Sequence, residues 1–268
     1  MRVLIAITAG LVLAAGAGAV GPSLPDTAGV VNGNAVSYVV ASKGATTSVD
    51  KRVAGRTVAS LALHGGFGLP LVTLNGQLGG LSPDGKLLVL GDNVHPEGVL
   101  RTQSRFALVR TANLALAATV TLHGDYNVDA LSPDGRWLYL IHHVQKPDLR
   151  YTVVAYDLRA GKLIPQPIVD KTEHEWLMSG YPVARATSAG GDWVYTLYQR
   201  GNEEPFVHAL DTVSRTAVCI DLPWNTSDGE GIGTARLTLS GTTLRVEGGH
   251  SSPARFAVDL TSFSVTKS

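Results

Sequence analysis

The sequence predicts an all-β fold, a β-propeller of five blades with four antiparallel strands each. Three observations predict it. The turn Ser82-Pro83-Asp84-Gly85 recurs as Ser132-Pro133-Asp134-Gly135, and apolar runs follow both, Leu87-Leu88-Val89-Leu90 and Trp137-Leu138-Tyr139-Leu140. Related turn signals stand at Asn32-Gly33-Asn34, Ser188-Ala189-Gly190-Gly191 and Ser240-Gly241, giving intervals of 50, 50, 56 and 52 residues. Such a period, in short strands without helical periodicity, is what a four-stranded blade requires.

Taken in order, residues 1–19 read as an export signal. Arg2 is the positive start, Val3 to Ala15 are mostly apolar, and Ala17-Gly18-Ala19 is a small-x-small cleavage site. A retained membrane anchor is the rival reading, weakened by the richness of the run in Gly and Ala. Residues 20–26 read as a linker and 27–268 as the propeller, with no later segment apolar enough to span a bilayer.

Within each copy a short innermost strand precedes the turn, as in Asn127 to Leu131 and Pro182 to Thr187. Pro at i+1, an Asp that bonds back to the backbone and a Gly that takes positive φ make the turn itself. The second strand follows: Ala35 to Ala41, Leu87 to Gly91, Trp137 to Ile141, Trp193 to Tyr198 and Thr243 to Val246. The third ends on an aspartate, Asp157, Asp211 or Asp259, with Asp50 as its counterpart in the first copy, and each is expected to start a tight turn by accepting backbone N–H groups. Outer strands return over Thr216 to Leu222 and Ser262 to Lys267. First and last copies each own four strands, so no strand exchange locks the ring.

The Ser-Pro-Asp-Gly hairpins and the run Val154-Ala155-Tyr156-Asp157-Leu158 leading to Arg159-Ala160-Gly161-Lys162 resemble the repeats of TolB-type and YVTN/lactonase-type propellers, and are similar in layout to WD repeats. The resemblance covers residues 27 to 268 and implies a secreted bacterial propeller without an attached hydrolase domain. It is specific for architecture and not for activity, because such folds host many functions.

Composition excludes several classes. Lys plus Arg equals Asp plus Glu at 22 each, so no whole-molecule field draws the chain to nucleic acid or an anionic bilayer. One cysteine, Cys219, excludes an intramolecular disulfide framework and multi-cysteine metal sites, and reads as a small buried residue. No cofactor motif is present. Trp137 and Trp193 occupy equivalent places after successive turns and read as blade-to-blade packing, and Asn225-Thr226-Ser227 matches a glycosylation acceptor.

In a four-stranded blade the second-to-third and blade-to-blade connections share one face. Those connections are read as long loops, His142 to Arg150 and His123 to Tyr126 among them, and seven of eight histidines fall there: His64, His95, His123, His142, His143, His174 and His250. This rim is the default binding site. Glu173-His174-Glu175-Trp176 is its sharpest cluster, with His142-His143 facing it, Trp224 as a second aromatic contact and Asp129 lining the channel. The spacing matches no established metal motif, and one channel acid makes a poor calcium cage, so no metal site is assigned.

The reading is therefore an exported binding module, in the cell envelope or outside the cell, for a protein, peptide or glycan. A cation-dependent hydrolase, lactonase-like and using rim or channel carboxylates, is the alternative, and a purely structural repeat protein is the third. An exposed apolar patch around Phe67, Leu69, Trp176 and Trp224 would mark a protein partner; converging carboxylates would mark the enzyme.

Overall fold

The computed structural model describes residues 29–33, 35–92, 99–145, 149–171, 177–201, 203–224, 232–249 and 254–267. It is a five-bladed, all-β propeller. Blade 1 is β1 (Gly29–Asn32), β2 (Val36–Lys43), β3 (Thr46–Val53) and β4 (Arg56–His64); blade 2 is β5 (Phe67–Gly68), β6 (Leu87–Asp92), β7 (Gln103–Arg110) and β8 (Ala115–His123). Blade 3 is β9 (Asp125–Leu131), β10 (Trp137–Gln145), β11 (Arg150–Asp157) and β12 (Lys162–Ile168), and the short β13 (Met178–Ser179) also pairs with β11. Blade 4 is β14 (Tyr181–Thr187), β15 (Trp193–Arg200), β16 (Glu203–Asp211) and β17 (Thr216–Asp221); blade 5 is β18 (Arg236–Ser240), β19 (Thr243–Glu247), β20 (Ala254–Asp259) and β21 (Val265–Lys267). Each sheet runs in chain order from the innermost strand outward, and among the described residues no blade borrows a strand from another.

The repeated turns form by the expected chemistry. Asp84 Oδ1 accepts from Ser82 Oγ at 2.7 Å and from the Lys86 amide at 3.0 Å, while Gly85, at φ 70°, donates to the Ser82 carbonyl at 2.8 Å. Asp134 and Gly135 repeat this geometry around Ser132. At the third-strand ends Asp157, Asp211 and Asp259 each accept two backbone N–H bonds of 2.9 to 3.0 Å. Asp50 does not join them. It lies inside β3 opposite Ser60, whose hydroxyl it accepts, and the turn falls later, at Ala54-Gly55.

Period-two alternation gives each interior blade two apolar faces. Blades 1 and 2 pack through Tyr38, Val40 and Val49 against Leu88, Leu90 and Val109; blades 2 and 3 through Phe106 and Leu108 against Leu138, Leu140 and Val154. Tyr139, Val153 and Ile168 meet Val194, Leu210 and Ala217 between blades 3 and 4, and Leu197, Val207 and Trp224 meet Leu244, Val246 and Phe256 between blades 4 and 5. Trp137 lies under Arg215 of blade 4, and Trp193 packs on Phe263 of blade 5, so both tryptophans span neighbouring blades. Among the described residues no apolar cluster joins blade 5 to blade 1. Arg236, Thr238 and Arg245 are exposed on the face of blade 5 turned away from blade 4, and Ser48, Ser60 and Val30 on the face of blade 1 turned away from blade 2.

Two connections read as long loops are nearly absent. β10 continues through His142 and His143 to Gln145, and a single residue, Gly124, links β8 to β9. Blade 2 holds the reverse surprise. Between Gly68 and β6 the chain makes a small hairpin in which Leu71 bridges Leu78, Val72 N donates to Gln77 O at 2.8 Å, and Gly76 takes φ 87° at the tip. The hairpin crosses the channel: Leu74 N donates to Pro182 O of blade 4 at 2.8 Å, and Asn75 Nδ2 to Ala235 O beside blade 5 at 3.1 Å.

A second crossing sets a prediction. Gly191 in the blade 4 turn has φ 78°, and a Cβ there would stand 2.2 Å from Pro83 Cγ in the blade 2 turn, whereas a Cβ on Gly135 would meet nothing within 4 Å. Gly135→Ala should cost about 1 kcal/mol, the backbone strain alone, and Gly191→Ala should cost roughly twice that or more, as read from urea denaturation midpoints.

Candidate functional site

The innermost strands bring chemistry to the axis. Arg185 of β14 aims its guanidinium at Asp129 of β9 in the preceding blade: Nη2 pairs with Asp129 Oδ1, Nη1 donates to the Asp129 carbonyl at 2.5 Å, and Nε donates to Thr196 Oγ1 at 3.0 Å. Both charged side chains are about as buried as core residues, at 5% and 3% exposure. Arg185 also lines three cavities. One of about 560 Å³ lies toward the Asn32-Gly33 and Ser82–Gly85 turns, one of about 490 Å³ lies against blade 5, and one of about 20 Å³ lies between blades 3 and 4. The blade 2 hairpin separates the two large ones, with Gln77 on the wall of both.

A polar ladder runs outward from Arg185. Arg185, Thr196, His208 and Cys219 stand in register on the four successive strands of blade 4. His208 is buried, with Nδ1 3.9 Å from Cys219 Sγ, and the Cys219 amide donates to Asp170 Oδ2 at 2.8 Å. Burial lowers the His208 pKa to about 4, with the attraction of Asp129 only partly opposing it.

A second charged cluster sits at the opposite end of β9. Arg101, carried by the second-to-third connection of blade 2, donates from Nε to Asp125 Oδ1 at 2.9 Å, from Nη1 to Asp92 Oδ1 at 2.8 Å and from Nη2 to Asn127 Oδ1 at 2.8 Å. Burial works to raise the Asp125 pKa, but the neighbouring His143 and Arg101 outweigh it and hold the carboxyl well below the usual range. For Asp92 burial wins over the same Arg101, and its pKa rises. Both acids belong to a blade 2 to blade 3 clamp.

The residues singled out from sequence separate in the fold. Asp129 is in the channel. His143 is buried, 3.5 Å from Asp125, and shares the 20 Å³ cavity with Arg185. His142 points to the other face of blade 3, stacked on Tyr126 at 4.3 Å and 11°. Trp224 is buried: at 3% exposure it packs on Phe256 under Arg255, because the chain leaving blade 4 folds back into the blade 4 to blade 5 core. Glu173, His174, Glu175 and Trp176 lie outside the described residues. Phe67 and Leu69, at 2% exposure each, are likewise core, so with Trp224 they form no exposed apolar patch. Four of the histidines assigned to loops, His64, His123, His142 and His143, are strand residues near the ends that share the predicted face. Among the described residues no three His, Cys, Asp or Glu side chains converge as a metal ion would need.

The crossing hairpin, Arg101 and Arg236 were missed. Asn75-Gly76 flanked by Leu71-Val72 and Leu78 is a strong short-range hairpin signal, and it was available in the sequence. Neither a protein-family model nor a curated protein matches the chain. Solved structures do. Hydrazine synthase of Kuenenia stuttgartiensis is 17% identical, with 87% of this chain and 67% of that chain covered at a TM-score of 0.50. Oligopeptidase B of Trypanosoma brucei is 16% identical over 89% of this chain at 0.50, and this chain spans only 33% of it. TolB of Acinetobacter baumannii is 11% identical over 86% of this chain and 50% of its own at 0.42, too low to carry an argument. At these identities the likeness is one of fold: this chain is a propeller-type protein.

Two predictions test the energetics. Arg185→Met strands a buried carboxylate and should cost about 3–5 kcal/mol, most of which Arg185→Met with Asp129→Leu should restore in urea denaturation. His208 titrates near 6.5 when unfolded and near 4 when folded, so the unfolded chain takes the extra proton between those values and stability falls as pH drops through that window. The loss should approach about 3 kcal/mol, and His208→Leu should flatten the profile of urea midpoint against pH there.

Proposed function

We propose that the protein is an exported binding module that takes a peptide segment of a partner protein into its axial cavity. The observation that carries this is the 560 Å³ cavity itself, within the range of roughly 300–1,000 Å³ that suits a small bound ligand. Val31, Val36, Leu78 and Leu131 give it an apolar wall, and Asn32, Gln77, Asp129 and Arg185 a polar one. A short peptide, with apolar side chains and backbone amides in alternation, satisfies both walls at once. The site thus moves from the long-loop rim to the turn end of the channel. Export rests on the Arg2 to Ala19 segment, and the kinship with TolB-type and YVTN-type repeats on the two Ser-Pro-Asp-Gly hairpins.

The hydrolase reading finds less support, because its donor set does not converge among the described residues. Thr187 lines the cavity and is exposed, so Thr187→Trp fills the space without disturbing a buried group. Peptides selected from a random displayed library on the wild-type protein should bind Thr187→Trp at least about tenfold more weakly by isothermal titration. They should bind unchanged to Thr121→Trp on the exposed outer strand of blade 2. Equal binding to both variants would place the ligand elsewhere.

A further inference from the structure

The cavity of about 490 Å³ on the other side of the hairpin differs in chemistry from the first. Its polar lining among the described residues is Thr73, Asn75 and Gln77 of the hairpin, Arg185 of β14, Thr234, and Arg236 and Thr238 of β18, with no aspartate or glutamate among them. The Arg185 charge is met by Asp129, so it leaves little field of its own. Arg236 differs: it is exposed and, among the described residues, no ion pair joins it to an acid, although Glu247 stands in register beside it on β19. Exposed Arg245, in register with Thr238, adds a second positive charge to the same face of blade 5. The same face carries Glu247 and, at the far end in register with Thr243, Asp259, whose carboxylate is committed to the turn amides of Thr261 and Ser262.

The local geometry is rigid where it needs to be. Asn75 Nδ2 is committed to the Ala235 carbonyl, which fixes the hairpin tip against blade 5, and the buried Thr73 accepts the Gln77 amide at 3.2 Å, which fixes the stem. The Gln77 side chain and the Thr238 hydroxyl are both exposed and make no hydrogen bond to the described residues. A guanidinium, an amide and a hydroxyl thus face one space in which, among the described residues, no acid competes. A cation would find no carboxylate in that described lining; an oxyanion would find a fork-shaped charged donor and two neutral ones.

We propose that this cavity binds a small oxyanion-bearing ligand, carboxylate or phosphate, with Arg236 as its charge partner and Gln77 and Thr238 as hydrogen-bond donors. The site shares Gln77 and Arg185 with the peptide cavity across the hairpin, while Arg236 and Thr238 line this one alone and Thr187 only the other, so variants at those positions test the two readings apart.

Isothermal titration of the purified protein at low ionic strength, with citrate and with inorganic phosphate as probes, tests it. Saturable binding of either probe is expected, weakened about tenfold or more in Arg236→Gln and by added salt. It should be unchanged in Arg110→Gln, an exposed arginine at the end of β7 outside the cavity. Citrate binding alone marks a carboxylate site and phosphate binding alone a phosphate site. Saturation of neither probe, or equal binding by wild type and Arg236→Gln, overturns the proposal. Since Arg236 is exposed, its removal should leave the thermal midpoint in place, so a loss of binding reads as a loss of the site.

Discussion

The crossing of the channel by the blade 2 hairpin is the contact on which the axis of this molecule depends. Each blade owns its four strands, and successive blades are held by apolar faces that have no direction of their own. Hydrophobic packing brings neighbours together and leaves their radial position loose. The amide of Leu74 and the side chain of Asn75 supply direction, binding the carbonyls of Pro182 and Ala235 on blades 4 and 5 from across the channel. Pro83 against Gly191 does the same at the turn end. Together these contacts tie blade 2 to blades that are not its neighbours in the ring, and they divide the channel into cavities of different chemistry.

The buried charges complete the positioning. A guanidinium and a carboxylate taken out of water cost several kcal/mol each, returned only when geometry and hydrogen bonds are good. Arg185 meets that condition through Asp129 and Thr196, and Arg101 through Asp125, Asp92 and Asn127. Both pairs join adjacent blades at β9, one toward each end of the strand. Their role is orientation: a slip of blade 3 or blade 4 by one residue would leave unpaired charge in the core. His208 sits behind Arg185, its imidazole kept neutral by the low pKa that burial imposes, with Cys219 in register beside it.

Function follows from this division. A propeller fold leaves activity open, and similar architectures here include a synthase and a peptidase. The chemistry of the cavity walls narrows it. On one side of the hairpin an apolar wall faces an amide and an ion pair; on the other, arginine, amides and hydroxyls stand without acids among the described residues. Of the apolar surface expected on the rim, Phe67, Leu69 and Trp224 are core, and Trp176 lies outside the described residues.

The sequence by itself determined the blade. The Ser-Pro-Asp-Gly turns, the aspartates at the third-strand ends and the alternation of each strand are local effects, decided by φ preferences and by side-chain bonds to the nearest backbone, and they hold in the structure almost residue for residue. It also placed Asp129 and Arg185 on channel strands, because period and turn fix which strand is innermost. Only the tertiary structure decided what those residues meet. That Trp224 is core, that His142 and His143 part to opposite faces, and that the Asn75-Gly76 hairpin spans the ring depend on partners a blade or more away, for which no short-range pattern codes.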